Sequence, residues 1–148
     1  MFARSGVAKR KLQAQFAARA PERVYRALVE GALGRGEGTL RGRLAQDAGL
    51  RVSPAGGRRG KEAITRYRVL ERRPGTTLLE LALVTGRRGQ IRAQLAAAGH
   101  PIVGDRAYGS RRDPLRRVCL HATRLAFEHP GGGRVSFESP MPVAFRRG

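Results

Sequence analysis

The fold class is decided by residues 63–99, which read AITRYRVLERRPGTTLLELALVTGRRGQIRAQLAAAG. Two runs within this stretch, residues 63–71 and 77–85, are rich in β-branched, aromatic and leucine residues, and a turn sequence at 72–75 joins them. This pattern predicts a β-hairpin. Over residues 89–98 the apolar spacing changes to that of a helix, which the following glycine is placed to end.

The residues before this hairpin predict a helix, a strand and a loop-rich segment. Apolar residues repeat at i, i+4 within the first twenty positions, and a proline ends that helical pattern. Residues 24–30 alternate as in a strand. Residues 31–60 are rich in glycine and contain candidate short strands at 40–44 and 50–53. The tract Gly-Arg-Gly-Glu-Gly at 34–38 lacks the spacing of the nucleotide-binding fingerprints, so we predict a hairpin turn there.

The residues after the predicted helix return to strands. Residues 101–109 are irregular, whereas residues 118–127 and 134–138 have the pattern of two strands joined by a glycine turn at 131–133. Two prolines near the C-terminus exclude a central strand there. No repeat or linker divides the sequence. We therefore predict one α+β domain over residues 1–148, with a mixed, largely antiparallel sheet and flanking helices.

The charge of the chain is strongly basic. It has 30 Lys and Arg residues against 11 Asp and Glu residues, a net charge of +19, and 27 of the basic residues are Arg. A field of this strength needs an anionic partner, and a polyphosphate is the obvious candidate. The Arg side chain also has a planar fork that matches phosphate geometry. A compositional bias towards Arg, which would leave some arginines as solvated surface, is an alternative explanation for part of the excess.

Several other classes of protein do not fit. The longest apolar runs, such as residues 78–84, are far shorter than the roughly 20 residues that cross a bilayer. A single cysteine, Cys119, excludes a disulfide framework and fits a reducing compartment. No leader pattern opens the sequence. We expect a cytoplasmic monomer with no membrane partner.

Metal and nucleophile motifs are weak in this sequence. Cys119, His121 and His129 have no further ligand at zinc-like spacing, so a partly buried thiol beside a hydrogen-bonded histidine is the better explanation. No Ser/His/Asp set and no Gly-x-Ser-x-Gly elbow is recognisable. We predict no metal site and no small-molecule cofactor.

Residues 85–92, which read TGRRGQIR, have the composition of an anion site. A strand ends, a glycine turns the chain and a helix begins, and helix N-termini attract anions through their free N–H groups and dipole. Arg87 and Arg88 suit phosphates at that position, and Arg92 could point inwards one turn later. A solvated basic helix start fits the same residues, and the spacing alone leaves both interpretations open.

Residues 85–109, which read TGRRGQIRAQLAAAGHPIVGDRAYG, resemble the signature T-G-R-x-H-Q-I-R followed by G-H-P-I-x-G-D-x-x-Y-G. This signature is typical of the RluA-type RNA pseudouridine synthases. Four further stretches resemble family motifs in the family's order: YRALVEG at 25–31, KEAITRYRVL at 61–70, CLHATRLAFEHP at 119–130 and FESPMP at 137–142. The resemblance covers nearly the whole chain, and it implies a pseudouridine-synthase-type fold.

The resemblance also implies an activity and a set of site residues. The family consists of cofactor-free isomerases that detach uracil from its ribose in rRNA or tRNA and reattach it through C5. The family's uracil-contacting tyrosine corresponds to Tyr25, and its Q-I-R arginine, which pairs with the nucleophilic aspartate, corresponds to Arg92. The apolar residue that packs on the base corresponds to Leu120. An arginine that holds a carboxylate ionised, and an aromatic wall for a flipped base, fit this chemistry.

Further residues are predicted to contact RNA. Arg87, Arg88 and Gln90 belong to the signature turn, and Arg111 and Arg112 lie in a predicted loop. Guanidinium groups in loops suit the phosphate backbone, so we expect RNA binding with strong salt dependence.

The sequence departs from the family pattern in three ways. Gly89 stands where the family usually has His, and Arg23 stands where it has Lys. The third departure concerns the nucleophile, an aspartate in the motif H-R-L-D-x-x-T-S-G. The aspartates here, Asp47, Asp105 and Asp113, do not match that motif. We therefore expect the chain to begin just downstream of the catalytic residue, to be inactive alone, and to leave Arg92 without its acidic partner.

Two other hypotheses fit parts of these observations. The chain could be a pseudoenzyme that retains RNA binding, and the sequence does not distinguish this from a fragment of an active synthase. A basic, ribosome-associated structural protein is the alternative from another class, but the order and number of the motif matches disfavour it.

Overall fold

The computed structural model describes residues 1–49, 51–56 and 59–146, and its main feature is one seven-stranded sheet. The strands are β1 (Glu22–Glu30), β2 (Glu37–Gln46), β3 (Val52–Pro54), β4 (Lys61–Arg73), β5 (Thr76–Leu83), β6 (Leu120–Glu128) and β7 (Arg134–Glu138). The helices are α1 (Gly6–Ala17) and α2 (Gln90–Ala97), and 3₁₀ turns cover Arg106–Tyr108 and Val143–Arg146. The α+β class predicted from the sequence is confirmed.

The order of the strands is β3-β2-β4-β5-β1-β6-β7. Every strand pair between described residues is antiparallel, so the sheet is more uniform than the mixed sheet that we predicted. Strand β1 lies between β5 and β6 and connects the central hairpin to the C-terminal strands. Its residues 27–29 are fully buried for this reason.

The predicted central hairpin is present, with a first strand longer than the predicted 63–71 and a second strand that ends at Leu83, two residues before the predicted end. Strands β4 and β5 pair from Arg73 and Thr76 at the turn down to Thr65 and Leu83. The turn itself is the dipeptide Pro-Gly, in which Gly75 has a φ of 73°, a value that residues with a Cβ rarely adopt.

The glycine tract at 34–38 is not a hairpin turn, and that prediction is wrong. It leads from β1 into β2, and these strands are not neighbours because β2 pairs with β3 and β4. Gly38 already belongs to β2, where a Cβ would collide with the ring of Tyr67 on β4. Glycine is therefore needed here for a close approach within the sheet. The predicted strand at 50–53 corresponds to β3, and residue 50 lies outside the described residues.

Helix α1 confirms the predicted N-terminal helix and is fixed to the far end of β6. Ser5 caps it, and its hydroxyl accepts a hydrogen bond from the Ala8 backbone N–H at 3.2 Å. The Gln15 side chain donates to the Glu128 carbonyl at 2.7 Å and accepts from the Glu128 N–H at 2.9 Å. No helix in the described residues is long and apolar enough to cross a membrane.

Helix α2 confirms the helix predicted from the change of spacing at residue 89. Gly89 and Gly99 flank it with φ values of 61° and 83°, so glycine provides the left-handed conformation at both ends. Leu95 of this helix joins the main core, and Ala93 joins a smaller cluster beneath β2 and β3. The main core contains Leu28, Leu79, Leu81, Leu95, Ile102 and Phe145, all fully buried.

Candidate active site and RNA interface

The structure brings Tyr25, Arg92 and Leu120 together in one cleft of about 200 Å³. We call it the Tyr25 cleft; it is lined by Tyr25, Leu83, Arg87, Gly89, Gln90, Ile91, Arg92 and Leu120. Tyr25 of β1 lies opposite Ala122 of β6, and Leu120 lies opposite Ala27, two residues along β1. Because strand residues alternate between faces, both side chains point to the same face of the sheet. The sequence could not show this proximity, because the two residues are 95 positions apart.

Arg92 has an acidic partner, so the expectation that it lacks one is wrong. Its Nε and Nη2 atoms each donate to a different carboxylate oxygen of Asp105, both at 2.7 Å. Asp105 is almost completely buried, with 1% of its side chain exposed, whereas Arg92 is 36% exposed. The hydrogen bonds from Arg92 to Asp105 raise the pKa of the guanidinium, so Arg92 remains a cation in the cleft.

Tyr108 supports this ion pair and connects it to β3. The Arg92 guanidinium lies 4.7 Å from the centroid of the Tyr108 ring, a cation–π distance. The Tyr108 hydroxyl donates to the Val52 carbonyl at 2.9 Å and accepts from the Val52 N–H at 3.2 Å. Sequence reasoning did not give Asp105 or Tyr108 a role, although both belong to the quoted G-D-x-x-Y-G motif.

Gln90 does not have an exposed side chain, and the predicted direct contact with RNA is not supported for it. The residue is 2% exposed. Its amide nitrogen donates to the Ile64 carbonyl at 3.0 Å and to the Thr65 hydroxyl at 2.8 Å. Its amide oxygen accepts from the Thr85 hydroxyl at 2.7 Å and the Arg87 N–H at 3.0 Å. Gln90 therefore fixes the turn that precedes α2 to strand β4.

Arg87 and Arg88 lie where the sequence predicted them, at the turn into α2. The Arg87 side chain is half-buried, and its Nε donates to the Glu62 carbonyl at 3.2 Å. Arg88 is exposed. Both residues also line a second, larger cleft beside the Tyr25 cleft. Their predicted contact with a phosphate stays a prediction.

Arg111 and Arg112 lie at the other end of β1. Their backbone N–H groups each donate to Glu30 Oε1 at 2.8 Å, and the Arg112 guanidinium lies against Gly75 in the central turn. Glu30 is five residues along β1 from Tyr25, which corresponds to roughly 17 Å. The structure therefore does not bring these two arginines to the Tyr25 cleft, and their predicted contact with RNA stays a prediction.

Arg23 is the unusual cation of this site. It shares its face of β1 with Tyr25, two residues away, and its guanidinium lies against Gly86, where a Cβ would collide with it. Its Nε and Nη2 atoms are buried and have no hydrogen-bond partner within the described residues. Burial lowers the pKa of Arg23, and the nearby Tyr25 partly opposes that effect. The ring of Phe16 on α1 lies 5.7 Å away and provides a cation–π contact.

No aspartate lines the Tyr25 cleft. Asp105 lies behind Arg92, Asp113 pairs with Arg106 at 3.2 Å, and Asp47 accepts a hydrogen bond from the Arg51 N–H at 2.8 Å in the turn after β2. The described residues contain no group of three His, Cys, Asp or Glu side chains placed to hold a metal ion.

Cys119 is buried completely, more deeply than the partly buried thiol that we expected, and desolvation raises its pKa. His121 has the hydrogen bond that we expected, with Nε2 lying 3.1 Å from the Ser139 hydroxyl. Both residues therefore fit structural roles.

Comparison with known proteins identifies the family. A family model described as RNA pseudouridylate synthase matches residues 1–97, more than half of the chain. The chain belongs to the RNA pseudouridylate synthase family. It is 42% identical over 134 residues to the dual-specificity RNA pseudouridine synthase RluA of Pasteurella multocida, covering 88% of this chain and 61% of that protein. It is 38% identical over 144 residues to the RNA pseudouridine synthase YlyB of Bacillus subtilis, covering 96% and 48%.

Solved structures agree with this pseudouridylate synthase assignment. The human RNA pseudouridylate synthase domain containing 1 superposes with a TM-score of 0.81 at 26% identity, covering 93% of this chain and 62% of that one. The human domain containing 4 shares the fold, with a TM-score of 0.76 at 20% identity, covering 96% and 66%. The chain spans about half to two thirds of the length of these pseudouridylate synthases and of the two curated relatives.

Proposed function

We propose that this chain forms the substrate-binding part of a pseudouridine synthase that isomerises uridine in rRNA or tRNA. One observation carries the proposal: Tyr25, Arg92 and Leu120, which come from three separate elements, line a single cleft. The names of the relatives agree with this substrate class, since they include a dual-specificity synthase and ribosomal large subunit synthases. The monomeric state and the cytoplasmic location stay predictions.

The side chains of the Tyr25 cleft have different roles toward a flipped uridine. We propose that the Tyr25 ring and the Leu120 side chain hold the two sides of the base, since RNA bases outside a helix are held by stacking and apolar contact. Arg92 uses Nε and Nη2 for Asp105, so its Nη1 lies outside that pair. That atom is placed to bind and orient a second carboxylate, the role that the family resemblance gives to this arginine.

We further propose that these 148 residues do not isomerise uridine by themselves. The reaction that the resemblance implies needs a carboxylate nucleophile, and the loss of such a group costs several orders of magnitude in rate. Asp105 is held by both hydrogen bonds to Arg92, and the other two aspartates lie outside the cleft. A tyrosine hydroxyl and a guanidinium are poor nucleophiles at neutral pH.

The test of catalysis is tritium release from RNA that carries 5-³H-uridine. We expect no release by the 148-residue chain, and release when the chain is joined to a segment of a relative that contains His-Arg-Leu-Asp. The same fusion with that aspartate changed to Asn is the control and should be inactive. Turnover by the 148 residues alone would show that another residue serves as the nucleophile.

RNA binding is tested separately from catalysis. With a net charge of +19, the chain should bind structured RNA with an affinity that falls steeply as salt rises, because phosphate contacts release counterions. Arg87→Ala should reduce the salt slope by about one and weaken binding equally for different sequences. A salt slope near zero for the unmodified chain would contradict the proposed RNA partner.

A further inference from the structure

A second cleft of about 450 Å³ lies directly beside the Tyr25 cleft. We call it the Lys61 cleft; its walls come from β2, β3, the start of β4 and the turn before α2. It is lined by Leu44, Ala45, Gln46, Val52, Gly60, Lys61, Gly86, Arg87 and Arg88. Arg87 borders both clefts, so a ligand that extends from one into the other passes along this side chain.

Gly89, which lines the Tyr25 cleft, lies close to a residue that lines the Lys61 cleft. A Cβ at Gly89 would lie 3.4 Å from the Val52 side chain and 3.4 Å from the Tyr108 hydroxyl. Gly89 lines the Tyr25 cleft, and Val52 lines the Lys61 cleft. The two clefts are therefore adjacent at Gly89 and Val52, as they are at the shared residue Arg87.

The Lys61 cleft combines an apolar surface with a cationic rim. Leu44 and Val52 form the floor of the cleft, with only 6% and 4% of each residue exposed, whereas Lys61 and Arg88 are exposed at its edge. The described lining residues include no carboxylate. Cations beside an apolar surface suit a group with a planar base and a phosphate, since bases are held by apolar or guanidinium planes and phosphates by cations. The volume also lies within the range of small-ligand sites.

Arg87 is oriented before any ligand binds. Its backbone N–H donates to Gln90 and its Nε donates to the Glu62 carbonyl. A guanidinium that is already fixed loses less conformational freedom on binding than a free one. Its position between the clefts suits the phosphate that links two consecutive nucleotides.

We propose that the Lys61 cleft binds the nucleotide adjacent to the target uridine. Its base enters the cleft above the floor that Leu44 and Val52 form, its phosphate is bound by Lys61 and Arg88, and Arg87 binds the linking phosphate. The proposal rests on the proposed function, because it assumes that a uridine occupies the Tyr25 cleft. It adds a second subsite, so the enzyme recognises at least two consecutive nucleotides through this chain.

The experiment compares one nucleotide with two. Uridine monophosphate and the dinucleotide pUpU are titrated into the ¹⁵N-labelled 148-residue chain at low salt, and the dissociation constants come from amide shifts. We expect the monophosphate to shift signals of the Tyr25 cleft. The dinucleotide should shift signals of both clefts and bind about tenfold more tightly, because a second linked contact adds to the first.

Charge-matched variants locate the second subsite. Lys61→Ala and Arg88→Ala should each lower the affinity for pUpU about fivefold and leave the affinity for uridine monophosphate unchanged. Lys9→Ala and Arg10→Ala remove the same charges from exposed positions on α1 and should leave the ratio of the two affinities unchanged. If the ratio of the affinity for pUpU to the affinity for uridine monophosphate is the same in Lys61→Ala and Arg88→Ala as in the unmodified chain, the proposal is overturned.

The outcomes separate this proposal from the proposed function. If the monophosphate binds the Tyr25 cleft but the dinucleotide gains no affinity, the second subsite is wrong and the proposed function stands. If neither nucleotide binds and structured RNA does not bind either, the proposed function fails and this inference fails with it. Ribose 5-phosphate is the control for the base: shifts equal to those of the second nucleotide would show an anion site that does not hold a base.

Discussion

The two sides of the Tyr25 cleft differ in how their polar side chains are satisfied. On the α2 side, Gln90 makes four hydrogen bonds within the protein and Arg92 makes two with the buried Asp105. On the β1 side, just outside the residues that line the cleft, Arg23 has two buried nitrogens with no hydrogen-bond partner in the described residues. The pKa of Arg92 is raised by its carboxylate partner, whereas the pKa of Arg23 is lowered by desolvation.

This difference shows which parts of the site are fixed by the fold alone. A buried polar group with all its partners holds one geometry, because leaving a partner unsatisfied costs about 1–3 kcal/mol. The α2 side is therefore fixed before any ligand binds. A buried cation without a partner costs stability instead, and an anion that approached it would recover part of that cost. Four changes test the comparison, and they follow in order of expected effect.

Gln90→Ala should cause the largest loss of stability. The change removes one hydrogen bond each from the Ile64 carbonyl and from the Thr65 and Thr85 hydroxyls, which keep other partners. It also takes away the acceptor of the Arg87 N–H and opens a cavity. We expect a loss of about 3 kcal/mol in the free energy of unfolding by urea. Gln13→Ala, on the exposed face of α1, is the control and should change the free energy by less than about 0.5 kcal/mol. Equal effects of the two changes would contradict a rigid α2 side.

Asp105→Asn should lower stability by about 2 kcal/mol, because it removes a charged acceptor from both hydrogen bonds to Arg92. The measurement is again urea unfolding. Asp113→Asn is the matched control: its partner Arg106 is 78% exposed, so we expect a loss below about 1 kcal/mol. If Asp105→Asn costs no more than the control, the pair does not hold Arg92 in place.

Arg23→Met tests the β1 side and should act in the opposite direction. Arg23 is half-buried, and two of its buried nitrogens have no hydrogen-bond partner in the described residues. Replacing it by an apolar side chain of similar length, which can keep the contact with Phe16, should leave stability unchanged or raise it by about 1 kcal/mol. Arg92→Met is the matched change on the α2 side and should lower stability by about 2 kcal/mol, because it strands the buried Asp105 carboxylate. Thermal unfolding of both variants measures the two changes in stability. A larger loss of stability in Arg23→Met than in Arg92→Met would contradict the difference between the two sides.

Glu30→Gln should have the smallest effect, and it is visible only in acid. Burial alone would raise the pKa of Glu30, but hydrogen bonds from Ser110 and from the Arg112 and Arg111 N–H groups outweigh it and lower the pKa. The charged form therefore stabilises the fold above the ordinary pKa of 4.5, and this stabilisation is lost as pH falls through the lowered value.

Unfolding between pH 6 and pH 3 measures this effect. The unmodified chain should lose more stability on acidification than Glu30→Gln, by less than about 1 kcal/mol. Glu62→Gln, at an exposed position, is the control and should keep the acid dependence of the unmodified chain. Identical pH profiles for the unmodified chain and Glu30→Gln would show that these hydrogen bonds do not stabilise the charged form of the Glu30 carboxylate.

Local patterns were enough to predict most of the secondary structure. Alternation and turn residues gave the β4–β5 hairpin, and the change of spacing at Gly89 gave α2, because these signals depend on neighbouring residues. The glycine tract at 34–38 was misread because a turn motif does not show which strands it joins. The pairing of β2 with β4 depends on residues about 25 positions apart, which no local pattern reports.

The sequence by itself determined the α+β class and the basic character, and its motifs singled out Tyr25, Arg92 and Leu120 as candidate site residues. Only the tertiary structure decided what surrounds them. It paired Arg92 with Asp105, buried Gln90, and moved Arg111 and Arg112 to the far end of β1. The physical reason is that composition and periodicity fix which face of an element is apolar. The partners of buried charged and polar groups depend instead on which distant elements pack against each other. A buried polar group is stable only when it is hydrogen-bonded, and the residue that provides the bond can lie anywhere in the sequence.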